Sequence, residues 1–206
     1  MRKLIFLCAV CLFTLNCAWG QPVKLGVLLG PNVSTFLEPV SGETTSALVS
    51  FHAGVFTEFV VGPVSIEPGL VYESIGGKNN YTDSYGGGGV STQTYSLQYL
   101  QVPVNIVFNT PGRKFFLGGG PFVAFGISGH ISGNSTSGNF GFTPPYQQTI
   151  DQPYKFNGAN NPDYGLNLLV GVHLEGGTII SIGYGLGLNS ATNNNVFSLS
   201  LGHRIF

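Results

Sequence analysis

Charge is scarce in this chain: eight Lys and Arg and nine Asp and Glu among 206 residues, 8% of the total. No clustered basic face can be built from so few cations, which argues against a nucleic-acid footprint. A water-facing surface made mainly of Gly and Ser is also a poor one for a soluble domain. Cysteine is confined to Cys8, Cys11 and Cys17. If that leading segment is removed, the remaining chain has no disulfide and no thiolate metal site. The single tryptophan, Trp19, would be lost with it. Beyond the start, no apolar run approaches the roughly 18 residues of a membrane helix, so any membrane spanning must be by strands.

The first twenty residues read as a secretory signal. Arg2 and Lys3 form the basic start, Leu4 to Leu15 the apolar run, and Ala18-Trp19-Gly20 the small-residue cleavage site. A lipoprotein reading of Cys17 is weak, because Asn16 stands where a small residue is expected and Thr14 where Leu is usual. The expected organisation is a signal peptide over residues 1–20 and one β-barrel domain over residues 21–206. Without Arg2 and Lys3 the chain keeps 6 basic residues against 9 acidic, a net charge of −3.

What the chain has in abundance is alternation. Ile180, Ile182, Tyr184, Leu186 and Leu188 fall on one face of a strand, and Ser181, Gly183, Gly185 and Gly187 on the other. An apolar face opposed to a small, uncharged one is the pattern of a transmembrane β-barrel whose apolar side meets lipid. Eight such segments are expected near residues 22–31, 47–60, 64–76, 94–108, 115–129, 164–175, 178–189 and 196–206. The lipid-facing sets include Val23, Leu25, Val27 and Leu29 in the first, Val64, Ile66, Leu70 and Tyr72 in the third, and Leu100, Val102, Val104, Ile106 and Phe108 in the fourth. Tyr164, Leu166, Leu168, Val170, Val172 and Leu174 serve the sixth, and Phe197, Leu199, Leu201 and Ile205 the last. Tyr72, Tyr164, Phe108 and Phe115 are candidates for an interfacial aromatic belt.

Short connections at Val61-Gly62-Pro63, Asn109 to Lys114 and Gly176-Gly177 alternate with segments at 32–46, 77–93, 130–163 and 190–195, mostly longer. Bacterial outer-membrane barrels alternate periplasmic turns and extracellular loops in this way. The fold class that follows is all-β, an eight-stranded antiparallel up-and-down transmembrane β-barrel with both termini in the periplasm. Pro68, Pro103 and Pro121 fall inside strand candidates, where a closed sheet has no free edge, so bulges or bends are expected there. The long loops are rich in Gly, Asn, Ser and Tyr, as in Gly86 to Gly89 and Gly129 to Tyr164. That composition suits solvated loops and also adaptable contact surfaces.

The segment Tyr99-Leu100-Gln101-Val102-Pro103-Val104, followed by Phe116-Leu117-Gly118-Gly119-Gly120-Pro121-Phe122-Val123-Ala124, resembles the PorT-like outer-membrane β-barrel family. In that family a Tyr-Leu-x-x-Pro strand and a Gly-Pro-aromatic strand recur in this order. The resemblance extends more weakly to Asp163-Tyr164-Gly165, Tyr184-Gly185-Leu186 and Leu201-Gly202-His203-Arg204, and so spans most of the chain. It implies an outer-membrane barrel and accounts for Pro103 and Pro121 as family features, leaving Pro68 unexplained. It implies no single function, since some members work with secretion and gliding machinery. One departure is the terminus: members commonly end in an aromatic residue followed by Arg-Phe, whereas here the order is His203-Arg204-Ile205-Phe206, with Phe206 out of phase with the apolar face.

The complementary strand faces point into the lumen, which in a barrel of about eight strands has room for side chains and not for a wide pore. By parity the lumenal set includes Lys24, His52, Glu58, Glu67, Glu73, His173, Glu175 and Arg204. Lys24, Glu58, Glu67, Glu175 and Arg204 lie near periplasmic strand ends and are expected to form a structural ion-pair network, because isolated charges in so enclosed a space are costly. A plug that holds the barrel together is the bland reading of this set, and a proton or ion path the sharper one. His52, His130, His173 and His203 are scattered over different segments, which suits neither a metal site nor a cofactor, and none is expected.

The functional expectation is a non-enzymatic outer-membrane barrel that presents surface loops or serves as a subunit of an envelope or secretion assembly. Its partners would be outer-membrane lipid and possible envelope proteins, and not nucleic acid. A second reading is a lipid-modifying outer-membrane enzyme using His130, which lies between Ser128 and Ser132, although spacing assigns it no orienting partner. A third is a soluble periplasmic barrel carrying a small apolar ligand.

Overall fold

The computed structural model describes residues 23–36, 43–82, 89–136, 146–158, 161–189 and 193–205. The expected signal peptide and Phe206 lie outside the described residues. Among the described residues nine strands follow in chain order: β1 (Val23–Phe36), β2 (Glu43–Val61), β3 (Val64–Thr82), β4 (Val90–Asn109), β5 (Phe115–Thr136), β6 (Gln147–Pro153), β7 (Asp163–His173), β8 (Thr178–Gly187) and β9 (Asn194–Arg204). Eight of them close a ring in the order β1-β2-β3-β4-β5-β7-β8-β9, with β9 returning to β1. Every pairing is antiparallel, so the fold is the expected eight-stranded up-and-down barrel. β6 stands outside the ring and pairs with the far end of β5 alone, from His130 opposite Pro153 to Thr136 opposite Gln147.

Alternation decides which side chains face out. Leu166, Leu168 and Val170 of β7 are exposed on the outer wall, with Leu168 at 61%. Val107 of β4 is fully buried in the lumen, while its neighbours Ile106 and Phe108 face outward. The lumen is packed in two apolar groups. Phe56, Val107, Phe116 and Ile179 fill the half near the short turns. Ile75, Leu97, Tyr99, Phe122, Ala124 and Val196 fill the half near the long loops.

Each short turn relies on left-handed backbone that glycine adopts at little cost. Gly62 sits at φ 62°, Gly112 at 76°, and Gly176 and Gly177 at 73° and 84°. Arg113, the one non-glycine in this region among the described residues, has φ 52°. The β4–β5 turn is further tied by Thr110, whose Oγ1 accepts from the Phe115 N–H at 3.1 Å.

Two expectations change. The strands run further into the long-loop end than alternation shows: β1 continues to Phe36, β3 to Thr82 and β5 to Thr136, β2 begins at Glu43 and β4 at Val90, and β6 forms inside the expected 130–163 loop. These added stretches are rich in Ser, Thr, Asn, Gln and Gly and, Asn32, Ser34 and Gly77 apart, are not buried on either face, so the ladder forms without a two-residue apolar period. The prolines produce no bulges. The register shifts lie elsewhere, between Ala47 and His52 in β2 and at Gln98/Tyr99 in β4. Beside each proline the ladder skips two residue pairs and resumes in the same register: Thr57 and Glu58 against Pro68, Gly69 and Leu70 against Pro103, and Val104 and Asn105 against Pro121. A missing N–H costs local pairing, while the long strands on either side hold the register.

Candidate functional site

At the short-turn end the lumen is crossed by a charge cluster centred on Glu58 of β2, whose side chain is fully buried. Ser65 Oγ donates to its Oε1 at 2.8 Å, and the Arg113 guanidinium donates to the same oxygen. Arg204 Nε lies 2.8 Å from Oε2, an ion-pair contact and not an aligned hydrogen bond, and Lys24 Nζ lies 3.9 Å away. Arg204 also reaches His173, with Nη2 3.0 Å from the ring Nε2. Strands β1, β2, β3 and β9 and the β4–β5 turn therefore meet at one carboxylate, and β7 joins them through His173 on Arg204. The three cations and the Ser65 hydroxyl offset the cost of enclosing this carboxylate.

Of the five residues expected in this network, Lys24, Glu58 and Arg204 come together. Glu67 faces the same lumen within Coulombic reach of the cluster but makes no ion pair with a described residue. Glu175 is corrected: it sits exposed in the β7–β8 turn, where the chain has already left strand parity, and joins no described ion pair. Arg113 takes its place, a residue that strand parity could not reach because it belongs to a turn. The signal was a cation directly after the Thr110-Pro111-Gly112 turn, at the end where the strand carboxylates converge.

Midway along the lumen, His52, Glu73 and Tyr99 stand opposite one another across β2, β3 and β4. The buried His52 ring is held at both nitrogens, Nδ1 by Asn32 Oδ1 at 2.7 Å and Nε2 by Ser200 Oγ at 2.9 Å. On the opposite wall Asp163 accepts from Asn194 Nδ2 at 2.9 Å and from the Tyr164 N–H at 2.8 Å. A cavity of about 160 Å³ reaches between this level and the charge cluster.

At the long-loop end the chain leaves β6 and turns inward. Tyr154 donates its N–H to the Gly129 carbonyl at 2.9 Å. Its ring and that of Phe156 stack edge-on at 5.1 Å, and Phe156 meets Tyr99 at 5.4 Å. Gly126 and Gly129 make this possible, since a Cβ on Gly126 would stand 2.4 Å from the Phe156 ring and one on Gly129 2.8 Å from Tyr154 Cβ. Asn161 then fills the gap on the β5 edge, its Oδ1 accepting from the Gly126 N–H at 3.0 Å.

His130, the candidate for catalysis, lies on the part of β5 that pairs with β6. Its Nε2 is 2.5 Å from Asp151 Oδ1, and both side chains are exposed, at 51% and 73%. Among the described residues no serine hydroxyl is hydrogen-bonded to this ring. The four histidines remain apart, and no group of three or more His, Cys, Asp or Glu able to hold a metal occurs among the described residues.

No curated protein matches the chain in sequence. Among solved structures the fold is similar to Ail, the attachment invasion locus protein of Yersinia pestis, at 12% identity over 89% of this chain and 99% of that one, with a TM-score of 0.47. It is also similar to Neisserial surface protein A, at 11% identity over 89% and 97% of the two chains, with a TM-score of 0.41. Residues 19–193 match the family model described as the outer membrane protein beta-barrel domain. The chain belongs to that family, and its place is the outer membrane.

Proposed function

We propose that this protein is a non-enzymatic surface barrel of the PorT-like kind, in which a closed ring serves as the anchor and the sheet beyond it as the presented part. The observation that carries this is the asymmetry of the strands. At the turn end they stop within a few residues of the apolar wall. At the other end β2 to β6 continue as one mainly polar sheet beyond the apolar wall, with Tyr81 and Val90 as exposed exceptions. Short turns belong to the periplasmic side of bacterial barrels and long segments to the outside. The apolar wall takes outer-membrane lipid as its partner, the raised sheet an envelope or external protein, and nothing in the chain suits nucleic acid. The PorT-like assignment is supported by the Tyr99 to Val104 and Phe116 to Ala124 segments, which form the adjacent strands β4 and β5. The non-enzymatic reading is supported by His130, whose ring engages Asp151 with no described serine hydroxyl hydrogen-bonded to it; Ser96, opposite it in the β4–β5 ladder, accepts from Gln98 Nε2 at 3.2 Å instead.

Cysteine is absent after residue 17, so a single introduced thiol is a clean reporter. Thr149→Cys in β6 is expected to react on intact cells with a membrane-impermeant maleimide, and Lys114→Cys in the β4–β5 turn only after the outer membrane is opened. The reverse pattern overturns the orientation. Cross-linking through Thr149→Cys, with mass spectrometry of the products, then identifies what the sheet meets.

A further inference from the structure

We propose that the lumen holds a binding site for a small organic cation, an aryl- or alkylammonium, with Glu73 as its counter-ion and the Tyr99 hydroxyl as its second contact. The proposal goes beyond the surface role and does not depend on what the raised sheet presents.

Three carboxylates line the chamber, and Glu73 is the one held neither by the cation cluster nor by a short hydrogen bond: Glu67 stands within Coulombic reach of Lys24, Arg113 and Arg204, and Asp163 accepts from Asn194 and from the Tyr164 N–H. Glu58 gathers Lys24, Arg113 and Arg204 to itself at the turn end. Six residues along β3, roughly 20 Å at strand rise, separate that cluster's neighbour Glu67 from Glu73. No described Lys, Arg or His nitrogen lies within ion-pair distance of Glu73, and its contact with Asn32 Nδ2 is long, at 3.4 Å. Directly across the β3–β4 ladder stands Tyr99, 1% exposed, whose hydroxyl has no hydrogen-bond partner among the described residues. A buried phenol without a partner is costly, and here both it and the carboxylate line the same cavity.

The walls select the ligand class. Val71, Ile75, Phe56 and Phe122 give the chamber an apolar lining, which suits an organic body. A bare metal ion is disfavoured, since no group of three ligating side chains is present among the described residues. An ammonium has several N–H donors, enough for Glu73 and the Tyr99 oxygen together, and nearby aromatic rings add cation–π attraction. The cavity volume of about 160 Å³ is close to the ~150 Å³ of an engineered protein cavity that takes up benzene, so a single ring with a short amine is the right size.

The test uses the full mature chain refolded in an uncharged detergent, with benzylammonium chloride as probe and benzyl alcohol as its neutral counterpart, followed by ligand-observed NMR and calorimetry. Saturable binding of one benzylammonium per chain is expected, with benzyl alcohol weaker by on the order of tenfold to a hundredfold, the range for a hydrogen bond to a charged group. Glu73→Gln should abolish the preference for the ammonium, Tyr99→Phe should weaken binding several-fold, and Glu175→Gln should leave it unchanged. Absence of saturable binding, equal binding of the two probes, or an unchanged preference in Glu73→Gln overturns the proposal. The two-probe comparison on the native chain decides the matter even if Glu73→Gln does not refold.

Discussion

A single buried carboxylate organises the turn end of the barrel. Glu58 is fully buried and is contacted by Lys24, Ser65, Arg113 and Arg204. Removing it leaves three cations facing one another in an enclosed space, and breaking a buried pair from one side costs about 3–5 kcal/mol. Glu58→Ala is therefore expected to lower unfolding stability in urea by about that amount, read from gel mobility of boiled and unboiled samples refolded in lipid vesicles. Glu175→Ala, at an exposed turn, should move it by less than about 0.5 kcal/mol. Parity was enough to place Lys24, Glu58 and Arg204 in the lumen, because each lies within a strand whose alternation is clean. It failed for Glu175 and for Arg113, because a turn breaks the two-residue period on which parity rests.

Among the elements, the membrane part of each strand was legible and the rest was not. Lipid supplies the contrast: where one face meets hydrocarbon and the other a packed lumen, as in β7 and β8, the sequence must alternate. Where both faces meet water, as in the far ends of β3, β4 and β5 and the whole of β6, the same hydrogen-bonded ladder leaves no such trace. The inward turn at Tyr154 and Phe156 was equally silent, since its seat is made by two glycines that a sequence reading takes for flexibility. That seat can be tested. Gly126→Leu would drive a side chain into the Phe156 ring and lift the segment. Lys155, exposed between the two aromatics, is expected to be cleaved by trypsin on the order of tenfold faster in this variant, equivalent to a loss of about 1.4 kcal/mol of local closure.

For the molecule as a whole, the lumen is a sequence of fillings and not a channel. From the short-turn end come the Glu58 cluster, the Phe56, Val107, Phe116 and Ile179 group, the chamber beneath Tyr99, and then the rings of Tyr154 and Phe156. An eight-strand barrel leaves little beyond the space its side chains fill. Purified protein in planar bilayers is expected to show no stepwise conductance at voltages where general porins conduct. Steps of porin size would overturn the closed-anchor reading.

The seam where β9 meets β1 gives the Glu58 cluster a place in time. Arg204 stands opposite Gly26 at that seam, at the far ends of the described chain. Until the last strand arrives, β1 and β9 each carry an open row of backbone donors and acceptors, which hydrocarbon does not tolerate. Lys24 and Glu58 are register partners within the β1–β2 pair and need no other strand to meet, whereas Arg204 reaches them only where β9 pairs with β1. The cluster is thus completed by the same event that removes the last open edge. A barrel stalled one strand short would be marked by a carboxylate still lacking one of its cations.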